Sequence, residues 1–285
     1  MKKIQKLIWC ANFVRAKLCG ELNRIGWKQV FRVLFNLPLF QPVQFSLIEE
    51  DAQAGIGLYR SGCLPDLWIP LQDDPGCDID RFLFDRDVYH NTYIGDLVSR
   101  GDNVLDCGGY IGLFTLWCLD KGAGKVVVFE PEKRNCECIR RNLSGYIGCG
   151  RVVLVEKGVW SSSGEMVLNL TGSGVGHSLL DGVESAAQAV VEVAGIDDVM
   201  RDLEIDRIDF IKMDIEGAER EALIAAKNVI YRNKPKMFIC TYHLPDDHRV
   251  ITERVLAIRP DYSFEYTGFS VHEKGVSQNQ GAVFT

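Results

Sequence analysis

The sequence lacks the features that would place the protein in a membrane or in an oxidising compartment. The longest charge-free stretch near the N-terminus, residues 33–48, contains two prolines and is shorter than the roughly 20 apolar residues of a membrane-spanning helix. Arg15 and Lys17 interrupt the first apolar stretch, so no signal peptide is expected. The ten cysteines include no C-x-x-C pair, which argues against a zinc knuckle or a redox motif. Free thiols in a reducing cytoplasm are the expected state.

Basic residues are also scarce outside the N-terminal segment. The formal net charge of the chain is −7, which argues against a general nucleic-acid binder. Residues 1–40 hold eight basic residues and one acidic residue, a net charge of +7. The rest of the chain therefore carries a net charge of −14. Apolar residues at intervals of three and four predict a basic amphipathic helical arm over residues 1–42. Residues 1–35 could lie on an anionic membrane, and packing against the body or a sister subunit is the favoured alternative.

The C-terminal part of the sequence, residues 101–285, alternates short apolar runs with amphipathic stretches. This alternation predicts a doubly wound α/β fold, in which a mostly parallel sheet carries helices on both faces. Residues 43–100 show no such pattern and are predicted to form an accessory segment on the acceptor side, ending in a helix over residues 87–100. Strands are predicted at residues 104–105, 126–129, 152–155, 166–170, 208–213 and 237–241, and helices at 111–119, 131–143 and 216–229.

A glycine-rich turn after the first of these strands carries the strongest motif, DCGGYIGLF over residues 106–114. Glycines there allow a tight turn and a close approach of a ligand to the backbone. Such a turn can serve a dinucleotide or S-adenosylmethionine, but Asp106 would repel a pyrophosphate and attract an ammonium and a sulfonium. S-adenosylmethionine is therefore the predicted cofactor. The residues predicted to bind it in this turn are Asp106, Gly108, Gly109, Tyr110 and Gly112.

A second acidic position lies 24 residues after Asp106, where Glu130 ends the next strand and Pro131 opens a helix. A carboxylate at this point of such a fold accepts hydrogen bonds from the hydroxyls of an adenosine ribose. Glu130 and Pro131 are therefore predicted to bind the cofactor as well.

The third motif is IKMDIEGAE over residues 211–219. It places Asp214 at the carboxyl end of a strand, where sites gather in sheets of this kind. Asp214 could instead be the N-cap of a helix over residues 216–229, with Glu216 and Glu219 as favourable acids in its first turn. For the two glutamates this interpretation weighs about equally with a functional one.

Together these motifs resemble the FkbM-type methyltransferase family, and residues 211–219 are the most specific part of the resemblance. It covers roughly residues 101–284 and implies a seven-stranded sheet of the class I methyltransferase type. It also implies S-adenosylmethionine as methyl donor and methylation of an oxygen, often a hydroxyl of a sugar or a polyketide-type natural product.

The resemblance implies a histidine after the fifth strand, where His243 stands. A hydroxyl needs a base to become a good nucleophile. His243 and Asp214 are therefore the predicted catalytic residues, with His243 as the base. No metal is predicted, because the sequence shows no clear second and third ligand beside Asp214.

The sequence thus predicts a cytoplasmic O-methyltransferase that acts on a small molecule or glycan and not on nucleic acid, with membrane association through its arm left open. Two alternatives stay open. One is a non-catalytic subunit that binds S-adenosylmethionine and recruits a partner. The other is an NAD-dependent oxidoreductase, which Asp106 disfavours.

Overall fold

The computed structural model describes residues 45–285, except residues 63, 74, 76–96, 172–175, 181, 183–184 and 273–274. The predicted arm over residues 1–42 and most of the predicted helix over residues 87–100 lie outside the described residues. The last four residues of that helix, 97–100, form a turn and a bend instead.

Thirteen strands and seven helices make up the described part of the chain. The strands are β1 (Phe45–Asp51), β2 (Ile56–Ser61), β3 (Leu67–Pro70), β4 (Asn103–Cys107), β5 (Lys125–Phe129), β6 (Val152–Val155), β7 (Gly158–Val159), β8 (Gly164–Leu170), β9 (Ala187–Ala194), β10 (Phe210–Met213), β11 (Lys236–Cys240), β12 (Phe264–His272) and β13 (Gly275–Phe284). The helices are α1 (Leu113–Asp120), α2 (Lys133–Asn142), α3 (Ser144–Gly148), α4 (Ile196–Asp202), α5 (Glu219–Ala225), α6 (Lys227–Asn233) and α7 (Asp247–Ile258).

The central sheet has seven strands in the order β12-β13-β11-β10-β4-β5-β6. The five strands from β11 to β6 are parallel, and β13 pairs antiparallel with both β11 and β12. The prediction of a doubly wound, mostly parallel seven-stranded sheet is confirmed. The carboxyl ends of β4, β5 and β10 meet at one edge, which brings the three sequence motifs together.

Both faces of the sheet are covered, which explains why its strands are short apolar runs. Successive side chains of a strand point to opposite faces. Leu105 and Ile211 pack in the cluster that includes residues of α4, α5, α6 and α7. Val104 and Phe210, their neighbours in sequence, pack in the cluster that includes α1. The hydrophobic core is therefore two layers, one on each side of the sheet.

Residues 45–70 form a separate antiparallel sheet, β1-β2-β3, that packs on α2. The side chain of Asn142 at the end of α2 accepts a hydrogen bond from the backbone N–H of Trp68 at 2.7 Å and donates one to its carbonyl at 3.0 Å. Arg141 pairs with Asp51 at 2.6 Å. The sequence did not predict these strands, and the assignment of residues 43–100 to the acceptor side stays a prediction.

The prediction of one helix over residues 216–229 is wrong. Glu216 and Gly217 both have positive φ values, 52° and 99°, so the chain makes a left-handed turn before α5 begins. Ala218 is the N-cap of α5, and a break at Ala226 separates α5 from α6. Asp214 is therefore not a helix cap.

Two further properties of the described residues bear on the sequence analysis. No helix among them is long and apolar enough to cross a membrane. All six cysteines in this part of the chain are free thiols, and five of them are buried.

Candidate active site

A cavity of about 400 Å³ opens at the carboxyl ends of β4, β5 and β10. This volume lies within the range of small-molecule sites. Of the residues predicted from the sequence, six line it: Gly108, Gly109, Tyr110, Glu130, Pro131 and Asp214. Asp106, Gly112 and His243 do not line it. The cavity therefore contains most of the predicted cofactor site together with one of the two predicted catalytic residues.

The turn after β4 fits tightly between β5 and β10. The backbone N–H groups of Gly108 and Gly109 both donate hydrogen bonds to the carbonyl oxygen of Phe129 at 3.0 Å. Gly108 has a φ of +90°, and a Cβ there would overlap the carbonyl oxygen of Asp214. A side chain at Gly109 would overlap Val128. These two positions require glycine, because a side chain at either would collide with β5 or with the residue that follows β10.

Asp106 lies beneath the glycine turn instead of on the cavity wall. Its side chain is fully buried, Oδ2 accepts a hydrogen bond from Thr115 Oγ1 at 2.7 Å, and Oδ1 lies 3.4 Å from Nζ of Lys212. Burial raises the pKa of Asp106, and the Lys212 charge acts in the opposite direction. Asp106 is thus paired with the ammonium group of Lys212 in this structure, and not with the ammonium of a ligand as expected from the sequence.

Lys212 connects this buried pair to the site. Its Nζ donates a hydrogen bond of 2.7 Å to the carbonyl oxygen of Gly108, and Lys212 itself lines the cavity. Asp106 thus holds Lys212, and Lys212 holds the glycine turn. A part for Asp106 in donor binding stays a prediction.

Glu130 stands at the end of β5 as predicted. Its Oε2 accepts a hydrogen bond from the backbone N–H of Tyr110 at 2.8 Å, and its Oε1 accepts from the N–H of Glu132 and from Asn135. Burial raises the pKa of Glu130 to about 7, although these hydrogen bonds favour the ionised form. The carboxylate lines the cavity and retains lone pairs for further donors, so it fits the hydroxyls of a ribose.

His177 is a cavity residue that the sequence analysis missed. Its Nδ1 accepts a hydrogen bond from the backbone N–H of Thr171 at 3.1 Å, so the proton of the neutral ring lies on Nε2. Nε2 is buried and has no hydrogen-bond partner among the described residues. A lone histidine in a glycine-rich loop gave no signal in the sequence.

At the other end of the cavity three side chains converge from two strands. Asp214 and Glu216 follow β10, and His243 follows the neighbouring strand β11. Nε2 of His243 lies 3.5 Å from Oδ1 of Asp214 and 3.3 Å from Oε2 of Glu216. About a third of each carboxylate side chain is exposed, whereas only 6% of the His243 side chain is. We call Asp214, Glu216 and His243 the acidic-histidine cluster.

Glu219 supports this cluster from behind. Its side chain is fully buried, and its carboxylate accepts hydrogen bonds from the backbone N–H groups of Ile215 and Gly217 at 2.9 and 3.0 Å. Oε1 of Glu219 also lies 2.9 Å from Nδ1 of His243. Burial alone would lower the pKa of His243, but Glu219 and the charges of Asp214 and Glu216 raise it to about 9.

From the sequence, a functional role of Glu216 and Glu219 weighed about equally with stabilisation of a helix. The structure brings Glu216 to the cavity and Glu219 to His243. Both glutamates belong to the motif over residues 211–219, which was recognised in the sequence. The positions of their carboxylates depend on the left-handed turn at Glu216, which the motif alone did not predict.

Comparison with known proteins identifies the family. Residues 106–266, more than half of the chain, match the family described as the methyltransferase FkbM domain. The chain belongs to the FkbM methyltransferase family. The match includes both cavity ends, from the glycine turn to the acidic-histidine cluster. The resemblance read from the sequence motifs is confirmed.

Two known proteins illustrate the relationship. The methyltransferase sdnD of Sordaria araneosa is 28% identical over 176 residues, which are 50% of this chain and 67% of that protein. The crystal structure of methyltransferase FkbM from Methylobacillus flagellatus KT superposes with a TM-score of 0.53 at 25% identity, over 70% of this chain and 47% of that one. The aligned part of this chain thus spans about half the length of the second protein.

Family membership settles the general chemistry. The domain is a methyltransferase with the class I fold, and S-adenosylmethionine is its methyl donor, as predicted. The alternative of an NAD-dependent oxidoreductase loses its basis. The glycine turn, the Glu130 carboxylate and the cavity volume all fit this donor.

Proposed function

We propose that this FkbM-family protein transfers the methyl group of S-adenosylmethionine to a hydroxyl oxygen of a small molecule or glycan. The observation that carries the proposal is that one cavity is lined by two chemically distinct groups of residues. The glycine turn and Glu130 form one group, and Asp214 and Glu216 of the acidic-histidine cluster form the other, with His243 behind them.

At the donor end the residues bind without reacting. Ionised Glu130 would accept hydrogen bonds from the ribose hydroxyls, and Gly108 and Gly109 line the cavity beside it. Lys212 fixes the glycine turn through its hydrogen bond to Gly108. The bound donor supplies a methyl group on a positively charged sulfur.

At the acceptor end the chemistry requires a place for a proton. As the oxygen–methyl bond forms, the sulfur–methyl bond breaks and its electron pair returns to sulfur, while the hydroxyl proton leaves. We assign this step to the predicted catalytic residues: Asp214 lines the cavity, and His243 lies behind it with Nε2 3.5 Å from Oδ1 of Asp214. Holding both reactants in line within one cavity supplies much of the rate enhancement.

Two finer points belong to the same proposal. The free, mostly buried thiols fit a reducing cytoplasm, which is the proposed location. The basic segment over residues 1–35 is proposed to contact an anionic membrane surface or another subunit. No specific contact among the described residues favours the alternative of a non-catalytic subunit that binds the donor.

Titration calorimetry with S-adenosylhomocysteine, followed by label transfer from radiolabelled donor to hydroxyl-bearing extracts, tests the proposal. We expect binding of the product analogue and labelled products that are stable to conditions that cleave methyl esters. Absence of S-adenosylhomocysteine binding would refute donor use by this chain. Label found only on nitrogen, sulfur or carboxylate groups would refute the hydroxyl acceptor.

A further inference from the structure

The acidic-histidine cluster has a geometry that proton transfer alone does not explain. An N–H···O hydrogen bond usually has a heavy-atom distance of about 2.7–3.2 Å. Nε2 of His243 is farther than that from both carboxylates, at 3.5 Å from Asp214 and 3.3 Å from Glu216. Both ring nitrogens are buried and neither makes a hydrogen bond of good geometry within the described part of the chain, although Glu219 lies 2.9 Å from Nδ1. A buried imidazole nitrogen directed between two carboxylates points to a missing partner.

The distances match those between ligands of one metal ion. Nitrogen and oxygen ligands lie about 2.1 Å from ions such as Zn²⁺ and Mg²⁺. Two ligand atoms on one such ion are therefore about 3.0 Å apart at a right angle and about 3.4 Å apart at a tetrahedral angle. One ligand atom each from Asp214, Glu216 and His243 lies within 4.8 Å of the others. Small side-chain rotations would bring all three onto one ion.

Glu219 supplies the supporting contact that such a site needs. A metal-binding histidine usually donates its second ring N–H to a carboxylate or carbonyl, which fixes the tautomer. The Glu219 carboxylate lies 2.9 Å from Nδ1 of His243 and is itself held by two backbone N–H groups. This contact places Nδ1 beside Glu219 and leaves Nε2 facing Asp214 and Glu216, where a cation would take the place of the Nε2 proton.

We propose that Asp214, Glu216 and His243 bind a divalent cation at the acceptor end of the cavity, with Glu219 as the positioning residue for His243. The donor set of two carboxylates and one imidazole suits Mn²⁺ or Zn²⁺ better than Ca²⁺, which takes oxygen ligands. Three protein ligands leave further coordination positions open towards the cavity.

The proposed role of the cation in catalysis rests on the proposed function. The binding of the cation does not depend on that function. A hydroxyl oxygen that coordinates the cation becomes more acidic and is held at a fixed point. The cation would thus select acceptors whose hydroxyl has a neighbouring oxygen able to bind the same ion. Vicinal diols and hydroxy-ketones have this arrangement, and isolated alcohols do not.

Mn²⁺ binding to the full chain, freed of metal by a chelator, tests the site. Bound Mn²⁺ loses its six-line electron paramagnetic resonance signal, so the free ion can be counted in a titration. We expect one Mn²⁺ per chain, displaced by Zn²⁺. Asp214→Asn and His243→Asn should each weaken binding at least tenfold. Glu165→Gln, which removes an exposed carboxylate on β8, is the matched control and should leave binding unchanged.

Glu219→Gln separates a positioning role from a ligand role. Loss of a carboxylate that holds a metal-binding histidine typically weakens metal affinity about 10- to 100-fold. We expect this weakening with the same number of bound ions. Circular dichroism checks that each variant is folded. Asp214→Asn and Glu216→Gln change partly exposed side chains and are expected to fold. They therefore still test the cation site if Glu219→Gln does not fold.

The outcomes for the ion and for methyl transfer are separable when S-adenosylhomocysteine binding is measured on the same samples. No Mn²⁺ bound at millimolar concentration, or equal binding by the wild type and the Asp214 and His243 variants, would overturn the cation site. Such a result together with normal S-adenosylhomocysteine binding would leave the proposed function standing. Site-specific Mn²⁺ binding without S-adenosylhomocysteine binding would support the cation site and refute the proposed function.

Discussion

Lys212 and Asp106 form a buried ion pair beneath the glycine turn, with Nζ of Lys212 3.4 Å from Oδ1 of Asp106. The two residues face each other because β10 and β4 are parallel neighbours in a register that pairs them directly. Lys212 also donates to the carbonyl of Gly108, so the charge pair and the turn form one unit. The pair therefore links the core of the sheet to the donor end of the cavity.

We expect Lys212→Met to destabilise the protein by about 3–5 kcal/mol, because it leaves the Asp106 carboxylate buried without its counter-charge. Urea unfolding near neutral pH measures this loss. The Asp106→Asn/Lys212→Met double variant, which removes both charges, should recover part of it.

The pH dependence of that loss has a definite sign. Burial already raises the folded-state pKa of Asp106, and removal of Lys212 raises it further. A raised carboxyl pKa lowers the stability of the folded protein only at pH values at which that carboxyl is ionised in the unfolded chain. The destabilisation in Lys212→Met should therefore shrink as the pH falls through the raised folded-state pKa of Asp106, and its electrostatic part should be gone before the pH reaches the ordinary carboxyl pKa of about 4. A loss that is equal at acidic and neutral pH would contradict the ion-pair explanation.

Gly108→Ala tests the tight fit of the turn against β10. The new Cβ would overlap the Asp214 carbonyl, and the φ of +90° is unfavourable for alanine. We expect the free energy of unfolding to fall by about 2–4 kcal/mol. Affinity for S-adenosylhomocysteine should fall about tenfold or more, which corresponds to at least 1.4 kcal/mol.

Gly145→Ala is the matched control for this change. Gly145 lies in α3, has no positive φ, and a Cβ there would meet nothing within 4 Å. It should keep wild-type affinity and stability. Equal behaviour of the two alanine variants would show that the close approach at Gly108 is unimportant for the site.

The donor end could be predicted from sequence because buried parallel strands leave a clear pattern. Each of β4, β5 and β10 is a short apolar run that ends at a polar residue, and the carboxyl ends of parallel strands share one edge. Glu130 and Asp214 therefore line one cavity and Asp106 lies beneath it, while their roles stay predictions. What Asp106 contacts could not be predicted, because its pairing with Lys212 depends on the order and register of β4 and β10.

The acidic-histidine cluster was only half predictable for a different reason. Asp214 and His243 follow adjacent strands, and both were singled out from their positions. Glu216 and Glu219 looked like ordinary first-turn acids of a helix. Only the left-handed backbone at Glu216 and Gly217 directs one carboxylate to the cavity and the other to His243. Positive φ at a glutamate has no reliable sequence signal.

Thiol reactivity should distinguish Cys149 from the other described cysteines. Cys149 is exposed, whereas burial raises the pKa of the remaining five thiols. Because the thiolate is the reactive form, iodoacetamide should label Cys149 at least about a hundredfold faster in the native protein. Peptide mass spectrometry measures each site separately. Labelling in urea is the control, where the six rates should converge.

Cys107 and Cys240 are the most informative sites in that experiment. They lie in β4 and β11 beside the candidate active site and are buried. If either were labelled in the native protein as fast as Cys149, the sheet would be open to solvent at this point, contrary to the packing described.

The Glu130 carboxyl should make donor affinity depend on pH. Ribose hydroxyls donate hydrogen bonds, so the donor binds the ionised carboxylate in preference to the protonated form. Burial raises the pKa of Glu130 to about 7 in the unliganded protein. Affinity for S-adenosylhomocysteine should therefore be constant above that pH and fall about tenfold per pH unit below it.

Proton linkage provides the sharper measurement of the same effect. One pH unit below the pKa of Glu130, binding of S-adenosylhomocysteine should release about one proton, because the donor selects the ionised carboxylate. Calorimetry in two buffers of different ionisation enthalpy counts that proton. Glu130→Gln should bind more weakly, release no proton and lose the pH dependence. The variant cannot titrate, so a pH profile equal to that of the wild type would assign the effect to another group and remove Glu130 from the ribose site.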